Sequence, residues 1–104
     1  MRVVFVDGTI NKVLRGLREA KGLKQTQIAC NSHISQQTVS RIDSETSKEL
    51  TMFAVNQYAI GMGLPFLGIM ACFVKEPTEE ESNLIAYYTK KYPELKIIKN
   101  IINA

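Results

Sequence analysis

The stretch Lys24–Asp43, KQTQIACNSHISQQTVSRID, constrains the chain more than any other. Two short helical patterns follow one another with too few residues between them for a long loop. The first runs Gln25–Asn31, with Ile28 and Ala29 facing inward. The second runs Gln36–Asp43, with Val39 and Ile42 on one face at the i,i+3 spacing. Ser35 stands where a side-chain oxygen can cap the unpaired N–H groups of the second pattern. Ile34 lies in the connection and is expected to plug the angle between the helices.

Two such helices cannot be stable alone, because the apolar knot of Ile28, Ile34, Val39 and Ile42 is too small. The spacing predicts a helix-turn-helix, with Ala29 small where the helices cross. The outward face of the second helix then carries Gln36, Gln37, Ser40 and Arg41. That face donates and accepts, and holds no negative charge until Asp43. Glutamine pairs bidentately with adenine N6 and N7, and arginine with guanine O6 and N7, so the face has the chemistry of the DNA major groove. For a Gln-Gln pair alone, an ordinary solvated helix face is the alternative.

Leu17–Ala29 (LREAKGLKQTQIA) followed by Ile34–Asp43 (ISQQTVSRID) resembles the Xre-type helix-turn-helix family, which includes the lambdoid phage repressors and Cro proteins. The match covers roughly residues 10 to 74 and is most specific from Leu17 to Asp43. The resemblance implies an all-α fold: a five-helix, lambda-repressor-like DNA-binding domain, usually dimeric on a palindromic operator. It places Gln25 where the family contacts a phosphate and sometimes braces the recognition helix. Gln36 and Gln37 fall at the first positions that reach base edges. Ser40 and Arg41 lie one turn on, where Arg41 meets either a base or the backbone. Lys24, Gln25, Thr26, Ser35 and Thr38, around the two helix starts, are the expected phosphate contacts. The chain departs from the family pattern in two places. His33 stands in the turn where glycine is usual, and Ser44-Glu45 follow the recognition helix where an Asn-Gly pair is common.

The chain has 104 residues and a net charge of +3, enough length for one domain and a short extension. The charge is uneven. From Ile10 to Ile42, Lys12, Arg15, Arg18, Lys21, Lys24 and Arg41 face Glu19 alone, a local +5 that leaves −2 for the rest. A basic half on a neutral body suits a nucleic-acid partner, although many solvated helices are also basic. Cys30 and Cys72 sit in apolar patterns and, with one histidine, give no zinc spacing. Core thiols in a reducing cytosol are expected, with no metal and no cofactor. No signal-peptide pattern opens the chain, which points to the cytoplasm.

Along the chain, Arg2–Val6 (RVVFV) ends at the turn signal Asp7-Gly8 and predicts a short edge strand or an arm on a dimer partner. Asp7 or Thr9 is expected to cap a first helix to about Lys21, with Ile10, Val13, Leu14 and Leu17 inward. Gly22 then suits a helix C′ position. After the motif, Thr46, Ser47 and Lys48 either contact phosphate at the start of the next helix or, in the case of Ser47, simply cap it. That helix is expected from about Lys48 to Met62, ended by Gly61 and Gly63. A fifth follows from Leu64-Pro65 to about Phe73.

Ala54–Val74 holds no charged residue and is about long enough to span a membrane, but Gly61, Gly63 and Pro65 break it, so two helices and no membrane partner are expected. The fifth helix has apolar residues to spare. Phe66, Ile69, Met70 and Phe73 form either a dimer or partner surface, or a face covered by the C-terminal extension. Residues 1–75 thus make a DNA-binding domain with its motif at 25–43, and 76–104 an extension for packing or dimerisation. Thr78 and Glu81 make a capping box for a sixth helix, with Lys90 and Lys91 near its end. Pro93–Asn103 completes a helical hairpin, unless the β-branched Leu95–Ile102 forms a strand.

No catalytic constellation is visible, and Gly61-x-Gly63 lacks the strand that a dinucleotide site needs, so an enzyme is not expected. Two functions remain. One is a homodimeric, sequence-specific transcriptional regulator, a repressor of phage or mobile-element type. The other is an antitoxin-like or similar protein-interaction module, holding a partner protein.

Overall fold

The computed structural model describes residues 4–5, 8–44 and 50–103. They are mostly helical: β1 (Val4–Phe5), α1 (Thr9–Ala20), α2 (Gln25–Asn31), α3 (Gln36–Asp43), β2 (Leu50–Thr51), α4 (Met52–Met62), α5 (Phe66–Ala71), α6 (Glu79–Lys91), a 3-10 turn (Pro93–Lys96) and α7 (Ile97–Ile102). α2 and α3 span the residues that their periodicity predicts. Ser35 Oγ accepts from the Thr38 N–H at 3.1 Å and so starts α3 by side-chain capping.

α1 begins differently from expectation. Its N-cap is Gly8, at φ 77°, not Thr9, which already belongs to the helix; Asp7 lies outside the described residues. A positive φ is readily open to glycine alone, so the turn before α1 selects Gly8 itself. The far end follows the predicted form. Gly22, at φ 68°, donates to the Glu19 carbonyl, and the Leu23 N–H reaches the Arg18 carbonyl at 3.1 Å. These two bonds close α1 as a Schellman motif.

β1 pairs antiparallel with β2, Val4 opposite Thr51 and Phe5 opposite Leu50. The N-terminal strand is therefore used within its own chain. The same pairing moves the start of α4. Leu50–Thr51 is extended, and Thr51 Oγ1 caps the helix by accepting from the Ala54 N–H at 3.1 Å. Gly61 does not end α4 but lies inside it, against α2. A Cβ there would stand 2.8 Å from the Ile28 carbonyl oxygen, so the close crossing of the two helices requires glycine. The uncharged stretch splits at Gly63-Leu64-Pro65 into two helices of 11 and 6 residues. Among the described residues no helix is long and apolar enough to cross a membrane.

The core joins Val13, Leu14 and Leu17 of α1 to Ile28, Val39, Ile42, Val55 and Tyr58, all fully buried. Leu95 and Ile98 from the C-terminal segment are buried equally well. Each such aliphatic side chain contributes roughly 1.5–3 kcal/mol on burial, so this segment belongs to the core. It also corrects the expected hairpin: α7 packs along α1 rather than along α6. Gly16 lets it in, its hydrogen facing the Ile101 and Ile97 side chains. The C-terminal segment takes the 3-10 and α-helical forms, not the strand alternative.

α6 and the 3-10 turn cover α5, with Tyr88 and Leu95 against Gly68. Ile69 is consequently fully buried and cannot serve as a dimer surface; Phe66, Met70 and Phe73 are partly buried against the core. On α4 and α5 the large apolar side chains left exposed are Met52, Phe53, Ile60 and Leu67. Cys72 is buried, where loss of solvation pushes its thiol up and Lys99 offsets this in part. Cys30, expected in the core, is exposed on α2, because Ile28 takes the inward position of that helix.

Candidate nucleic-acid interface

α3 presents Gln36, Gln37, Ser40 and Arg41 to solvent while Val39 and Ile42 anchor its other side. A shallow concavity of about 430 Å³ is lined by Gln36, Gln37, Ser40, Arg41, Ser44 and, from α2, Gln25. The four expected base-reading side chains therefore share one surface with one of the expected phosphate contacts. Lys24 and Thr26, also exposed, flank Gln25 at the start of α2. Ser35 and Thr38 lie at the start of α3, where their hydroxyls hydrogen-bond each other at 3.0 Å. One of the two hydroxyl protons is thus already used. Thr46, Ser47 and Lys48 lie outside the described residues.

Beneath this surface is a polar cluster that the periodicity alone does not reveal. Asp43, the last residue of α3, is only 4% exposed. Its Oδ2 accepts from Arg18 Nε at 3.0 Å and from Gln25 Nε2 at 3.0 Å, and Arg18 Nη2 lies 2.9 Å away. Its Oδ1 accepts from the Tyr58 hydroxyl at 2.6 Å. Arg18 Nη1 also donates to the Leu23 carbonyl at 2.7 Å. One carboxylate thereby ties α1, α2 and α4 to the end of α3. Asn11, buried on α1, adds a bond from Nδ2 to the Ile42 carbonyl at 3.1 Å.

The signal for this cluster was present in the sequence. Arg18 follows Leu14 by four residues and Asp43 follows Val39 by four, so each places a charge of opposite sign on an inward stripe. Tyr58 is fully buried. Burial first, then the hydrogen bond to Asp43 and its charge, push the phenol well above its ordinary range, with Arg18 opposing. The phenol remains a proton donor to the carboxylate through the physiological range.

The cluster changes the electrostatics of the surface in two ways. The sole acidic residue of α3, Asp43, is turned inward and neutralised, so α3 itself puts no negative charge on the outer strip. Arg18, counted above among the basic residues of this half, is spent on Asp43. Lys21 likewise lies 3.8 Å from Glu94, whereas the Arg15–Glu19 contact at 3.5 Å is already within the +5. The positive excess felt by an approaching anion is therefore smaller than the local +5 suggests.

Among the described residues no three His, Cys, Asp or Glu side chains lie close enough together to hold a metal ion. No protein-family model, no curated protein and no solved structure matches the chain.

Proposed function

We propose that this chain is a sequence-specific DNA-binding transcriptional regulator, with residues 1–75 forming a lambda-repressor-like domain and α2–α3 its helix-turn-helix. In this view it acts as a homodimeric repressor of phage or mobile-element type. Each copy lays α3 in the major groove of one half-site, the two half-sites about one helical turn apart. One observation carries it: an exposed helix face of Gln36, Gln37, Ser40 and Arg41, from which Asp43, the one acid of α3, is drawn inward. The resemblance of Leu17–Asp43 to the Xre family supports it as well.

Gln36 and Gln37 then specify bases, while Lys24 and Thr26 position the complex on phosphates. Gln25 has a divided role, since one of its amide protons is held by Asp43. Selection of genomic fragments by the purified protein at physiological salt should return a palindrome. On it, Lys24→Ala should weaken binding to all sequences alike and lower the salt slope by about one. Recovery of unrelated fragments with no shared half-site contradicts the proposal.

A second reading, a module that holds another protein, is favoured by Met52, Phe53, Ile60 and Leu67, exposed on α4 and α5. It requires a partner that co-purifies with the parent and is lost on Phe53→Glu.

A further inference from the structure

α6 is a 13-residue helix without a single fully buried residue. Its inner side rests on α5 and the 3-10 turn through residues such as Tyr88. Its outer side carries a stripe of Glu80, Leu84, Tyr87 and Lys91, every one exposed, with Leu84 at 46% and Tyr87 at 56%. The steps along the stripe are four, three and four residues, the spacing of the seam between two packed helices.

The order of the four residues is self-complementary. A two-fold axis through the middle of α6, between Ile85 and Ala86, exchanges position 80 with 91 and position 84 with 87. Two copies of α6 laid antiparallel therefore set Glu80 of each against Lys91 of the other and Leu84 against Tyr87. Glu81 is engaged in the capping box with Thr78, whereas Glu80 makes no ion pair among the described residues. The Lys91 Nζ lies 5.8 Å from the Tyr87 ring centroid, so its charge sits at the edge of the apolar patch where a facing carboxylate would arrive.

We infer that α6 is a homodimer seam, pairing antiparallel with α6 of a second copy in this register. The inference supplies a surface for the dimer that the proposed function requires, but it is measured without DNA, so either can fail alone. A second copy is the occupant because the charge pattern is complementary to itself, with acid at one end, base at the other and apolar residues between. A seam of one helix pair is small against the roughly 1,200–2,000 Å² of a stable interface, so dissociation in about the micromolar range is expected.

The test is sedimentation equilibrium of the full chain over a range of protein concentration, with helicity checked by circular dichroism. The parent should show a monomer–dimer equilibrium that weakens with salt. Glu80→Lys puts cations at both ends of the stripe, and Lys91→Glu puts anions at both ends. Each variant alone should dimerise about tenfold more weakly or worse. An equimolar mixture of the two should associate as well as the parent, since the pairs formed are again of opposite sign. That recovery also excludes misfolding as the cause of the single-variant losses. Tyr87→Glu should abolish association in both settings. A parent that stays monomeric at high concentration overturns the inference, as does a mixture that fails to associate. So does a dimer that ignores the α6 variants and is lost on Phe53→Glu instead, which would move the interface to α4 and α5.

Discussion

The carboxylate of Asp43 receives donors from Arg18, Gln25 and Tyr58, all within 3.0 Å, and is the point where single residues matter most. Removing one partner of a buried ion pair leaves the other charged and unsolvated. Arg18→Met is therefore expected to cost roughly 3–5 kcal/mol in urea unfolding, far more than loss of the exposed Arg15–Glu19 pair. Tyr58→Phe should cost roughly 1.5–3 kcal/mol at neutral pH, the worth of a hydrogen bond to a charged group. Its pH dependence is distinctive. The phenol is raised in the folded state above its ordinary 10.0, so above that pH the unfolded chain loses the proton while the folded chain keeps it. Stability from this group is complete below pH 10 and declines above it, by about 1.4 kcal/mol per pH unit. The gap between parent and Tyr58→Phe should therefore narrow as pH rises past 10; a constant gap contradicts the buried phenol. Arg18 and Asp43 each continue an apolar stripe four residues on from Leu14 and Val39, a signal that the sequence-based expectations did not include, and only the packing of α1 on α3 shows that they meet.

At the scale of elements, what is decided locally was legible and what is decided at a distance was not. α2 and α3 follow from periodicity and the Ser35 cap, both properties of neighbouring residues. α4 starts at Met52 rather than near Lys48 because Leu50–Thr51 pairs with Val4–Phe5, some 46 residues away by the register. Gly61 reads as a helix stop in sequence, yet it is the contact point of α4 with α2. Gly61→Ala must push against the backbone oxygen of Ile28, so a loss of about 1–3 kcal/mol is expected. Gly16→Ala is crowded only by the terminal methyl of Ile101, a side chain that can turn away, and alanine favours the helix by roughly 1 kcal/mol. It should leave stability within about 1 kcal/mol of the parent. Equal losses at the two glycines, in the same urea titration, would refute the distinction. The exposed face of α3 was legible for the same local reason: Val39 and Ile42 fix which side is buried, and so which residues are left outside.

For the whole molecule, the C-terminal segment is the main difference from expectation. Leu95 and Ile98 complete the core, and α7 lies on α1, so the extension and the preceding helices stabilise one another. Ile98→Ala should cost about 2–5 kcal/mol and lower the midpoint of a single unfolding transition followed by circular dichroism. Two separate transitions would show that residues 76–104 fold independently. The hairpin expected from the sequence assumed that helices adjacent in the chain pair with each other; the small Gly16 on α1 offers α7 a closer fit instead.

The proposed base recognition rests on the outer edge of α3. Its most direct test is fluorescence-anisotropy titration of the parent, Gln37→Ala and the Gln36→Ala/Gln37→Ala pair, at one fixed salt concentration. The targets are the selected operator and its single-base-pair variants. The parent should discriminate each variant in the half-site, and Gln37→Ala should lose roughly 1–3 kcal/mol of that discrimination at one position while keeping it elsewhere. If the doubly substituted protein ranks every operator variant as the parent does, α3 is not the element that reads the DNA.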